Sequence, residues 1–138
     1  MQRRAFLLST AAVAALVTTG AEAGVGTEYT PGLVDKELAA GKTVFLDFAA
    51  DWCTTCRAQE RTITALVNEN PAYRDAITFV TVDWDQYRTD PLTQRLNIPR
   101  RSTLVVLKGD QELGRIVAGT GRAVIQGLMD TALSAATA

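Results

Sequence analysis

Two cysteines with two residues between them lie at the junction of a strand-like segment and a helical segment. The apolar run 43–49 has the length and residue types of a buried strand, and helical spacing follows over 57–68. Cys53 and Cys56 stand between the two segments. A helix N-terminus offers unpaired N–H groups and a positive dipole end, and both favour a thiolate. The position therefore predicts an α/β chain with a redox-active cysteine pair.

The spacing also predicts different roles for the two sulfurs. Cys53 lies nearer the helix end and is expected to face solvent as the nucleophile, whereas Cys56, one turn inside, is placed to resolve a mixed disulfide. A structural disulfide is an alternative, although so short a loop restricts the unfolded chain little. A carrier module for a soft metal such as Cu(I) is the other alternative.

The amino-acid composition excludes several classes of catalytic and metal-binding site. The 138 residues contain no histidine, so Ser-His and Cys-His catalysis within the chain and imidazole metal ligation are excluded. Two cysteines are too few for a four-cysteine metal site in a monomer. The 14 basic and 15 acidic residues give a formal net charge of −1, which argues against a nucleic-acid partner.

The N-terminal segment over 1–23 has the pattern of an export signal. Arg3 and Arg4 precede an apolar stretch over 5–17, and Ala21-Glu22-Ala23 matches a small-x-small cleavage site. The paired arginines resemble a twin-arginine signal, although the Sec route remains open. These features predict a signal over 1–23, a single domain over 24–138 and a periplasmic location. A membrane anchor formed by an uncleaved segment is the alternative, although the stretch is short for a span.

The remaining patterns predict the architecture. Helices are expected over 33–40, 57–68, 90–96 and 122–135, and strands over 43–49, 77–83, 103–107 and 112–118. Gly109-Asp110 fits the turn of a hairpin between the last two strands. This order predicts an α/β fold with a mixed central sheet of about four strands and helices on both faces.

Residues 47–57, with the sequence DFAADWCTTCR, resemble the thioredoxin family and most of all the C-terminal periplasmic domain of DsbD-type electron-relay reductases. The resemblance implies a thioredoxin-like fold and a thiol–disulfide oxidoreductase that acts on protein thiols and disulfides. It further implies a reductant or electron relay, a membrane reductase as electron donor, and a monomer. The chemistry needs no organic cofactor or metal, because the cysteine pair holds the electrons.

Asp47 stands where that family keeps a buried carboxylate behind the cysteines. An aspartate within an apolar strand has no stabilising role unless it has a partner, and burial raises the pKa of a carboxyl group. The interpretation is that Asp47 accepts the proton of Cys56 through water. An Asp47 that points outward from an alternating strand is the other interpretation.

The chain departs from the family where a cis-proline usually lies opposite the cysteines. Arg101-Ser102-Thr103 stands at that point, and Ile98-Pro99 comes three residues earlier. Either Pro99 fills the role through a shifted loop, or Ser102 occupies the position. A cis bond before serine costs about 2.5–4 kcal/mol, so a trans Arg101–Ser102 bond is expected.

The resemblance also assigns a substrate surface around the cysteines. Trp52 is expected to flank them as a contact platform, and Gly119 to form the floor of the groove or simply to end a strand. Arg101 is expected to stabilise the thiolate or select an acidic partner, or else to be merely solvated. The assigned substrate-binding residues are Trp52, Arg101, Ser102, Thr103 and Gly119.

Overall fold

The computed structural model describes residues 25–138, so the predicted signal over 1–23 and its boundary at residue 24 lie outside the described residues. The strands are β1 (Thr27–Glu28), β2 (Thr43–Ala49), β3 (Thr78–Asp83), β4 (Thr103–Lys108) and β5 (Gln111–Val117). The helices are α1 (Leu33–Ala39), α2 (Thr54–Glu69), α3 (Ala72–Ala76), α4 (Trp84–Tyr87), α5 (Pro91–Arg95) and α6 (Arg122–Ala136).

The strands form one mixed sheet in the order β1-β3-β2-β4-β5. β1 and β2 pair with β3 in parallel, whereas β4 is antiparallel to both β2 and β5. The predicted mixed α/β architecture is confirmed, with one addition: the short strand β1 lies at an edge. The segment that contains β1 has no pattern in the sequence, because pairing with β3 alone defines so short a strand.

Alternation along β2 decides which side chains reach the active-site face. Val44, Leu46 and Phe48 pack into the core cluster on the α1 side of the sheet. Phe45 packs into the opposite cluster, which also contains buried residues of α2 and α6. Because strand side chains alternate between faces, Asp47 shares the face of Phe45 and lies on the side of α2.

Several helices and strands lie where the local sequence patterns predict them. β2 has the predicted bounds, and α5 lies within the helix expected over 90–96. Pro91 is in its first turn, and the Asp90 carboxylate accepts from the Leu92 N–H at 3.0 Å. The hairpin turns at Gly109, whose φ of +60° suits glycine. The short helices α3 and α4 were not predicted, because helices of little more than one turn carry too little periodicity to detect.

Candidate active site

The two cysteines lie where β2 leads into α2. Cys53 is the N-cap residue of α2, and its Sγ accepts a hydrogen bond from the backbone N–H of Cys56 at 3.1 Å. Cys53 and Cys56 form a disulfide, with their Cα atoms 5.2 Å apart. The N–H that points at Cys53 Sγ in the disulfide is placed to stabilise a thiolate there after reduction.

The expectation that Cys53 faces solvent is wrong in the disulfide state. Cys53 and Cys56 are each only 3% exposed, and they form a small buried cluster with Ala50. Trp84 of α4 packs against this cluster. The burial was missed because it depends on α4 and on the loop before β4, both distant in sequence from the cysteines.

Ser102 occupies the position opposite the disulfide. Its Oγ lies 3.1 Å from Cys53 Sγ and 3.1 Å from Cys56 Sγ, and the residue is fully buried. The peptide bonds of the described residues are all trans, which confirms the expected trans Arg101–Ser102 bond. Pro99 is exposed in the preceding loop, so Ser102 and not Pro99 is the residue in contact with the sulfurs.

The backbone of Ser102 is held in an unusual conformation, with φ of +63°. Its N–H donates to the Phe48 carbonyl at 2.7 Å, and its carbonyl accepts from the Ala118 N–H at 2.8 Å. A proline at position 102 would require a negative φ and, because it has no N–H, would lose the bond to Phe48. A strained residue held by its surroundings is typical of a functional site.

Gln59 is a site residue that the sequence reasoning missed. Its amide nitrogen donates to the carbonyl of Ser102 at 3.0 Å and to that of Gly119 at 2.9 Å, and the side chain is fully buried. Gln59 thus ties α2 to both loops beside the disulfide. Its signal was its spacing, three residues after Cys56 and four before Ile63, on the buried face of α2.

Trp52 is the exposed neighbour of the disulfide, as predicted. The side chain is 54% exposed, and its Nε1 donates to the Asp85 carboxylate at 2.8 Å. The Arg101 guanidinium carbon lies 4.3 Å from the centre of the Trp52 ring, within the range of a cation–π contact. Arg101 is therefore a partner of Trp52 and is not freely solvated.

The other two assigned residues support the loops. Thr103 is fully buried at the start of β4, and its hydroxyl donates to the Arg100 carbonyl at 2.8 Å. Gly119 follows β5, and a Cβ there would come within 2.8 Å of Ile116. The structure therefore brings Ser102 to the sulfurs and Trp52 and Arg101 to the surface, while the Thr103 side chain faces inward.

A cavity of about 410 Å³ is lined by both Asp47 and Cys56. Its charged lining residues comprise five acids and one base: Glu28, Asp47, Asp51, Glu60, Asp83 and Arg57. The volume and the polar lining allow water between Asp47 and the Cys56 sulfur. Asp47 therefore faces this cavity beside Cys56, and the interpretation of an outward-pointing aspartate is wrong.

Burial raises the pKa of Asp47 from 3.8 to about 7, and the negative charge of Glu60 adds to the effect. Asp47 is partly buried as a residue, but its Oδ1 is inaccessible and has no hydrogen-bond partner among the described residues. A carboxyl group with a pKa near neutrality can both accept and return a proton under physiological conditions.

Residues 25–138 contain no cluster of three or more histidine, cysteine or acidic side chains arranged to hold a metal ion. In the same part of the chain, no helix combines the length and the apolar character that a membrane span requires.

Comparisons with known proteins agree with this geometry. The thioredoxin family model matches residues 28–131. Thioredoxin H5 of Oryza sativa subsp. japonica is 33% identical over 79 residues, 57% of this chain and 54% of that protein. Thiol:disulfide interchange protein TxlA of Synechococcus elongatus is 29% identical over 99 residues, 71% of this chain and 50% of that protein.

Among solved structures, Trxlp from Edwardsiella tarda EIB202 is similar, with a TM-score of 0.62 and 32% identity. The similarity covers 73% of this chain and 96% of that one. The chain thus spans about half the length of the two curated relatives and nearly all of the solved structure.

Proposed function

Since this chain belongs to the thioredoxin family, we propose that it is a thiol–disulfide oxidoreductase that exchanges its Cys53–Cys56 pair with protein thiols and disulfides. The observation that carries the proposal is the disulfide at the β2–α2 junction. Cys53 is the N-cap residue there and receives the Cys56 N–H. The thioredoxin and thiol:disulfide interchange proteins among its relatives support the same chemistry.

In the proposed reaction the Cys53 thiolate attacks a substrate disulfide. A mixed disulfide forms, and the first substrate sulfur leaves as a thiolate. Cys56 then loses its proton to Asp47 through the cavity and attacks Cys53 Sγ, which releases the second substrate sulfur. Two electrons pass from the dithiol to the substrate, so the exchange itself requires no metal or organic cofactor.

The proposed direction is that of a reductant or electron relay, kept reduced by a membrane electron-relay reductase. The likeness of the 47–57 motif to DsbD-type relay domains supports this direction. The export pattern over 1–23 supports a periplasmic location, in which protein disulfides are common substrates. We propose that the domain over 24–138 acts there as a monomer.

Insulin reduction by dithiothreitol tests the activity. The wild-type protein is expected to accelerate the reaction, and Cys53→Ser is expected to lower the rate to that of dithiothreitol alone, because the nucleophilic sulfur is gone. Thr54→Ala is a matched control, since it changes an exposed hydroxyl between the cysteines. Equal rates for the wild type and Cys53→Ser would contradict the proposed reaction, because Cys53 would then not be needed for the exchange.

A further inference from the structure

The Ser102 hydroxyl is equally close to both sulfurs of the cysteine pair. The distance is 3.1 Å to Cys53 Sγ and 3.1 Å to Cys56 Sγ. Neither sulfur of a disulfide carries a hydrogen atom, so the serine must be the donor in both contacts. Its single proton can serve only one sulfur at a time.

The backbone that carries this hydroxyl is held by hydrogen bonds that do not involve the disulfide. The Ser102 N–H donates to the Phe48 carbonyl, and the Ser102 carbonyl accepts from both the Ala118 N–H and the Gln59 amide. Among residues 25–138, the two sulfurs are the only hydrogen-bond partners of the Ser102 Oγ. Because that backbone is fixed, the hydroxyl is expected to stay within reach of both sulfurs when the disulfide opens.

Reduction replaces the neutral disulfide sulfurs next to the Ser102 hydroxyl with a thiol and a thiolate. A thiolate is a charged acceptor, and hydrogen bonds to charged groups are about twice as strong as neutral ones. During exchange the negative charge is first on Cys53 and later on Cys56, after Cys53 has joined the substrate. A donor equidistant from both sulfurs can follow that charge by rotating about its own C–O bond.

We propose that Ser102 is a catalytic residue of the exchange reaction, and the proposal rests on the function proposed above. Its hydroxyl donates to the Cys53 thiolate in the free dithiol and turns to the Cys56 thiolate in the mixed disulfide. Ser102 keeps its proton throughout, while the proton of Cys56 goes to Asp47. The bonds formed and broken are those between sulfur atoms, as in the reaction given above.

Two variants remove the hydroxyl. Ser102→Ala deletes it alone, and Ser102→Gly deletes it while also suiting the φ of +63°. Thr55→Ala is the matched control, because no hydrogen bond joins the Thr55 hydroxyl to either sulfur in the described structure. Ellman's disulfide is the probe, because its released thiolate absorbs light. The reduced protein reacts with it in two phases: Cys53 first attacks the reagent, and Cys56 then attacks the mixed disulfide.

The first readout is the titration of the Cys53 thiolate by its ultraviolet absorbance. Both Ser102 variants are expected to disfavour the thiolate about tenfold, which raises the pKa of Cys53 by about one unit. The second readout is the unimolecular phase in which Cys56 releases the bound probe. That phase is expected to slow about tenfold at fixed pH, whereas Thr55→Ala leaves both readouts unchanged.

Unchanged values in both folded Ser102 variants would overturn the proposal. A raised pKa of Cys53 with an unchanged release phase would also overturn it, because the hydroxyl would then serve Cys53 alone. If Ser102→Ala does not fold, the same two measurements on Ser102→Gly test the proposal. Failure of the wild-type protein to reduce insulin would refute the proposed function, whereas the thiolate titration would still report on Ser102.

Discussion

Cys56→Ser is expected to accumulate a mixed disulfide with substrate, whereas Cys53→Ser is expected to accumulate none. Cys53 caps α2 and receives the Cys56 N–H, so it is the sulfur set up to attack. Removing Cys56 leaves the mixed disulfide without its resolving thiol and slows release by more than about a thousandfold, as deletion of a nucleophile does. The captured species is visible on non-reducing gels with insulin as the substrate, and mass spectrometry identifies the joined cysteine.

The double variant Cys53→Ser/Cys56→Ser is the control for that experiment, because it retains the serine changes and has no sulfur at the site. Accumulation of mixed disulfide on Cys53→Ser, joined through Cys56, would reverse the assigned roles. Such a result would also conflict with the placement of Cys56 on the cavity side beside Asp47.

Asp47→Asn is expected to stabilise the oxidised protein at alkaline pH by about 4 kcal/mol, since each pKa unit corresponds to about 1.4 kcal/mol. The folded protein raises the pKa of Asp47 from 3.8 to about 7, so it binds the proton more tightly than the unfolded chain does. The stability from the protonated carboxyl is complete below the unfolded pKa of 3.8 and is lost as the pH rises to about 7.

Urea unfolding at pH 4 and pH 8.5 measures the effect. The two proteins are expected to be similar at pH 4, and Asp47→Asn to be the more stable at pH 8.5. Asp51→Asn is the matched control, because Asp51 lines the same cavity but is exposed. No gain for Asp47→Asn at pH 8.5 would contradict the raised pKa of the buried carboxyl.

The same variant is expected to slow resolution of the mixed disulfide about a hundredfold at pH 8.5, because asparagine cannot accept a proton. In the wild type that rate is expected to rise with pH through about 7, as Asp47 ionises. A stability gain without a change in this pH dependence would confirm the buried carboxyl group and refute its role as proton acceptor.

The sequence predicted those parts of the molecule whose signals are local. The bounds of β2 were correct because a run of mostly apolar and β-branched residues ends at a loop. The helix predicted over 90–96 matches α5 to within one residue at each end, because Asp90 and Pro91 are residues that favour a helix start. The cysteine pair was identified for the same reason, since a strand, two cysteines and a helix follow one another directly along the chain.

The parts that were missed depend on contacts between distant segments. Cys53 belongs to a small buried cluster against which Trp84 packs, and Trp84 lies beyond α2 and β3 along the chain. Ser102 faces both sulfurs because Phe48, Ala118 and Gln59 hold its backbone. The sequence shows a glutamine on an apolar helix face but not the carbonyl groups to which it donates. The hydrogen bonds from Gln59 to two loops are therefore visible only in the folded structure.

The most direct test of the central claim is the equilibrium of the Cys53–Cys56 pair with glutathione. The fraction of disulfide is measured by thiol alkylation and mass spectrometry across a series of glutathione ratios. A reversible two-electron couple with a potential near about −270 mV is the result expected for a protein-disulfide reductant. A potential near about −120 mV would identify an oxidant, and a disulfide that does not respond to glutathione would contradict the claim that the pair is redox-active.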